Sequence, residues 1–91
     1  MSRILEIKLG NKYGSIQEYL VKEGRRIVAR ISENLVGNDW EQFQITSNGC
    51  AFYRATGREA AEYVRSSMEQ KLQAFGGSET VSIRGLEVFG I

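Results

Sequence analysis

Eleven carboxylates, one thiol and no imidazole are the groups in this 91-residue chain that could carry reaction chemistry. General acid–base catalysis needs two such groups held close together, in surroundings that push their pKa values apart. The ten glutamates and the sole aspartate, Asp39, are scattered, and no spacing brings two of them together on one buried face. Asp39 falls in the turn-forming run Val36-Gly37-Asn38-Asp39, where an aspartate ordinarily bonds its own backbone. The absence of histidine removes the commonest zinc and copper ligand and every triad built on imidazole. The expectation is a chain with no catalytic residue, no metal and no cofactor.

Two further motifs carry a chemical suggestion. Gly10-Asn11-Lys12-Tyr13-Gly14-Ser15 places glycines ahead of a possible helix, as phosphate loops do, but lacks the Gly-Lys-Ser/Thr ending that grips phosphate and metal. A plain loop is the simpler reading. Cys50 follows a turn and could be a reactive thiol, yet its register places it on the core-facing side of a hairpin, where it reads as a small apolar filler.

The remaining chemistry is that of recognition. By strand alternation, one sheet face collects Lys8, Arg26, Val28, Arg30, Gln42, Gln44, Thr46, Tyr53, Ser82 and Arg84, with Trp40 near its edge. Arginine, tyrosine and glutamine combine a large contact area with polar ends, and they are enriched in binding surfaces. A solvated antiparallel face has much the same composition. The candidate partner-binding residues are Arg26, Arg30, Trp40, Gln42, Gln44, Tyr53 and Arg84.

The elements that must position these residues are clearest between 41 and 77. Glu41–Ser47 and Cys50–Arg54 flank Asn48-Gly49, the preferred pair for a two-residue type I′ turn because both positions need positive φ. That turn sets Ser47 opposite Cys50, Ile45 opposite Phe52 and Phe43 opposite Arg54. Thr56-Gly57-Arg58-Glu59 has capping-box spacing, and a helix over 57–75 places Ala61, Val64, Met68, Leu72 and Phe75 on one stripe before Gly76-Gly77 stops it. Residues 3–9 alternate as a strand. From 80 to 89 the alternation changes phase at Gly85, which predicts a bulge.

Residues 15–35 admit three readings. One is a single helix carrying Gly24 in its interior. Another is a hairpin turning at Glu23-Gly24. The reading preferred here is a short helix over about 16–23, opened by Ser15-Ile16-Gln17-Glu18 and closed by Gly24, followed by a strand from about Arg26 to Glu33. The product is an α+β two-layer sandwich. It has a four- or five-stranded, largely antiparallel sheet, the long helix on one face and the short helix beside it.

Length allows one domain, 1–91, with a single modest core. A charged fraction of 25 % against 42 % hydrophobic excludes the composition of a disordered chain. The formal charge of +1 favours neither nucleic acid nor an acidic mimic of it. No apolar run reaches the ~20 residues of a membrane span. One cysteine cannot form an internal disulfide, so a reducing, cytoplasmic setting is expected.

By elimination the expectation is a small non-enzymatic module, an adaptor or inhibitor, docking on a protein partner through the open face or an edge; a homodimer is allowed. The alternative is RNA or single-stranded nucleic acid. The order helix, three strands, helix between Ser15 and Phe75 resembles that of the double-stranded-RNA-binding domain, and the resemblance implies RNA as partner. That family carries lysines at the start of its last helix, where this chain has Thr56-Gly57-Arg58-Glu59.

Overall fold

The computed structural model describes residues 2–36, 42–47, 49–54, 56–77 and 79–90. Trp40, Asp39, Glu41 and Asn48 lie outside the described residues. The chain is α+β. It runs β1 (Ser2–Tyr13), β2 (Ile16–Glu23), β3 (Arg26–Asn34), β4 (Phe43–Ser47), β5 (Cys50–Arg54), α1 (Gly57–Ala74) and β6 (Thr80–Arg84), then a 3-10 turn at Leu86–Phe89. Six strands form one curled sheet in the order β5-β4-β3-β2-β1-β6. Five of them make an antiparallel meander. α1 then returns the chain to the far side, where β6 lies parallel to β1.

The short helix expected over 16–23 is a strand. Its buried residues are Tyr19 and Val21, which alternate, and it pairs on one side with β1 and on the other with β3. Gly24 does not end a helix; with φ of 62° it turns the hairpin between the paired residues Glu23 and Arg26. A segment that can form ladders on both sides gains more there than an eight-residue helix gains from its cap. The hairpin reading therefore holds. With it goes the element order that resembled the RNA-binding domain.

The expected loop at 10–14 is strand as well, since β1 runs to Tyr13 with a bulge between Leu9 and Lys12. The Gln17 side-chain amide donates to the carbonyls of Gly10 (3.2 Å) and Asn11 (3.3 Å) in that stretch. The glycines thus precede a strand, so the dipole of a helix N-terminus is not available to phosphate there.

The helix forms as its caps predict. Thr56 accepts from the Glu59 backbone N–H at 3.1 Å. At the other end Gly76 N–H bonds Gln73 O and Gly77 N–H bonds Leu72 O, the paired bonds of a Schellman motif. Ala60, Ala61 and Val64 are buried against Leu5, Ile7, Tyr19, Val21, Ala29, Ile31, Phe43, Ile45 and Val81. Met68 and Leu72 pack only partly, and Phe75, expected on the buried stripe, is 90 % exposed. The last turn of α1 overshoots the core.

At Gly85 the strand ends rather than bulging. Its φ is 87°, and a Cβ there would collide with the backbone of Ile7, so only glycine fits. The chain then curls into the 3-10 turn, whose Phe89 stacks on Tyr19 (4.6 Å between centroids) and meets Phe43 edge-on at 5.9 Å. This aromatic plug closes one end of the layer between sheet and helix.

Candidate partner-binding surface

The sheet face away from α1 is built in rows. Lys8, Leu20, Arg30, Thr46 and Ala51 stand side by side across five strands, and Glu18, Ser32, Gln44 and Tyr53 form the next row. A third row carries Arg84, Glu6, Lys22 and Ile27. Of the predicted site residues, Arg30, Gln44, Tyr53 and Arg84 are therefore brought onto this one face.

Two others are not. A bulge between Val21 and Lys22 pairs Val21 with Ala29 but Lys22 with Ile27. The phase slips by one residue, which moves Arg26 to the helix side of the sheet and leaves Val28 packed against the core. Gln42 precedes β4, and its side-chain amide lies 3.4 Å from Glu33. Glu33 also accepts from the Tyr19 hydroxyl at 2.8 Å, so Gln42 belongs to a polar cluster at the rim of the core. Burial, with the Glu33 carboxylate beside it, pushes the Tyr19 phenol up to about 12.

Charges on the outer face alternate in sign. Glu6 lies 3.7 Å from both Lys8 and Arg84, and Arg30 lies 3.4 Å from Glu18. Such surface pairs contribute ~0–1 kcal/mol each, and Lys22 adds a further base to the face.

The two edges of the sheet differ more than the faces. On β6, the Val81 N–H donates to a Glu69 carboxylate oxygen at 3.0 Å, and Arg65 donates to the Val81 carbonyl at 3.1 Å. Arg65 also bonds Glu69 at 3.2 Å and Glu62 at 2.6 Å, holding Glu62 below the usual carboxylate range. Side chains of α1 thus occupy the backbone N–H and C=O of Val81 on the outer side of β6. The i,i+4 spacing of Arg65 and Glu69 marks an opposite-charge pair on the helix, but nothing in the sequence reveals which strand the helix runs beside.

On β5, Cys50, Ala51, Phe52 and Tyr53 are all exposed, and no strand among the described residues pairs with their outer side. The register of the β4–β5 hairpin is the one its turn predicts. A two-residue turn closes on a hydrogen-bonded pair, so alternation aims the backbone of Ala51 and Tyr53 outward. The Arg54 guanidinium donates to the Tyr53 carbonyl at 2.6 Å from that side. Inside, Phe52 stacks on Tyr63 of α1 (4.8 Å) and Arg54 sits 4.7 Å over the same ring. Cys50, expected to be buried, is exposed. Its direction is as predicted, but the curled sheet carries the hairpin tip beyond the cover of the helix.

Among the described residues, no cluster of three or more His, Cys, Asp or Glu could hold a metal ion, and no helix is long and apolar enough to cross a membrane. Comparison of the chain with protein-family models, with curated proteins and with solved structures returns no match.

Proposed function

We propose that this chain is a small non-enzymatic protein-binding module, an adaptor or inhibitor, which receives an extended segment of its partner along β5. The observation that carries the reading is the β5 edge, exposed from Cys50 to Tyr53, set opposite an edge where α1 already bonds the N–H and C=O of Val81. A strand added to β5 would take its main-chain hydrogen bonds from Ala51 and its neighbours, and Tyr53, Gln44 and Arg30 on the outer rows would supply specificity. Binding of this kind needs neither cofactor nor ionisable pair, and it suits a cytoplasmic protein with one unpaired thiol. Glu6 and Glu18 interrupt the bases of the outer face, which disfavours a phosphate-tracking, nucleic-acid-binding surface.

The test is affinity capture from the source cell, followed by a titration of the purified partner. Wild type is compared with Arg30→Glu/Tyr53→Ala and, separately, with Ala51→Pro. The expected result is loss of binding in both variants with melting temperatures within a few degrees of wild type for the double variant. Unchanged partner affinity in both variants excludes this surface, and steep salt-dependent binding to RNA in their place would assign it to nucleic acid.

A further inference from the structure

On the opposite side of the sheet, the second half of α1 and the turn ends of β3, β4 and β5 do not close on one another. They leave a cleft of about 530 Å³, within the ~300–1,000 Å³ range of small-molecule sites. Its walls are apolar, with Val64 at 7 % exposure, Met68 and Leu72 partly buried on the helix, and Val28 and Phe52 from the sheet. Interiors of proteins normally pack to crystal-like density, so an apolar gap of this size between layers leaves surfaces without contact partners.

The polar part of the lining is unbalanced. Arg3, Arg26 and Lys71 face a single carboxylate, Glu23. Arg3 is already engaged, 2.9 Å from Glu79 and 3.6 Å from Glu23. Arg26 and Lys71 form no ion pair among the described residues, and Ser47 and Ser67 add hydroxyls beside them.

We propose that this cleft binds an amphipathic carboxylate, with an aliphatic chain against Val64, Met68 and Leu72 and the carboxylate between Arg26 and Lys71. Apolar walls account for the chain, and the two unpaired cations account for the sign of the head group. The site is separate from the β5 edge, although Cys50 and Phe52 contribute a wall to it. An uncharged alcohol would fill the same walls without the head-group contacts, and a cationic amphiphile would meet repulsion.

Decanoate and decyltrimethylammonium, each below its micellar concentration, and decanol, below its solubility limit, are titrated into the intact protein and followed by amide chemical shifts. Decanoate is expected to bind at least tenfold more tightly than decanol, with decyltrimethylammonium weakest. Bound decanoate should also slow alkylation of Cys50 by iodoacetamide. Arg26→Glu/Lys71→Glu changes two exposed side chains and should cost decanoate at least tenfold while leaving decanol unchanged. Ser67→Trp, which fills the cleft, should weaken both. Equal affinity for the three probes, no binding of decanoate, or unchanged decanoate affinity in the charge-reversed protein would overturn the proposal.

Discussion

β5 and β6 are edge strands of the same length, five residues each, and both follow or precede the one helix directly. Beside β6 the helix offers Arg65 and Glu69, spaced one turn apart, which bond the Val81 carbonyl and N–H and each other. Beside β5 it offers an aromatic ring, Tyr63, which holds Phe52 and Arg54 by their side chains and leaves the strand's backbone alone. An edge is therefore protected less by its own length or sequence than by what the neighbouring element presents to it. Long polar side chains one helical turn apart can stand in for a missing strand.

Along the β5 edge the largest effect should come from proline at Phe52, on the paired side of the ladder. Phe52→Pro removes a bond to β4 and the ring contact with Tyr63, and should cost ~3 kcal/mol or more in chemical denaturation. Ala51→Pro, on the open side, should cost no more than ~1 kcal/mol, as proline is tolerated where a strand's N–H faces solvent. The opposite order would mean that the outward groups are those of Phe52.

Reopening the closed edge is the next test. Arg65→Ala/Glu69→Ala leaves the Val81 N–H and C=O without their partners, and should cost ~1–3 kcal/mol. It should also make the sedimentation coefficient concentration-dependent, as β6 becomes available for pairing. A variant that stays monomeric at wild-type stability would show that side-chain bonds are not what protects this edge.

Smaller effects belong to the exposed positions. Phe75→Asp, at 90 % exposure, should shift stability by less than ~0.5 kcal/mol, whereas Val64→Asp on the same helix should prevent folding. Arg30→Glu, which loses a half-buried pair with Glu18 and sets two carboxylates together, should lower stability by ~1 kcal/mol. Cys50 should react with Ellman's reagent in the native protein without denaturant; a rate that tracks unfolding would put the hairpin tip back under the helix.

The parts of this fold that were legible in the sequence are those decided locally. The β4–β5 register follows from its turn, and the ends of α1 follow from Thr56 and Gly76-Gly77. Ser15-Ile16-Gln17-Glu18 misled because a capping box is read from four residues, whereas β2 is paired along its whole length with the strands directly before and after it, a gain that lies outside that window. The candidate face was half legible. Arg30, Gln44, Tyr53 and Arg84 obey simple alternation, but the Val21/Lys22 bulge moves Arg26, and the partnership with Glu33 moves Gln42. The exposure of Cys50 depends on sheet curl, which no run of residues encodes by itself.

The parallel pairing of β1 with β6, which sets Ser2 against Thr80, has a consequence in time. Hairpins β1–β2, β2–β3 and β4–β5 join neighbours in sequence and can form within microseconds, but β6 must close a long loop before it can pair with β1. During synthesis the free side of β1 waits until Thr80–Arg84 has been made. For that interval the chain carries an additional open sheet edge, along a strand that holds Ile4, Leu5, Ile7 and Leu9.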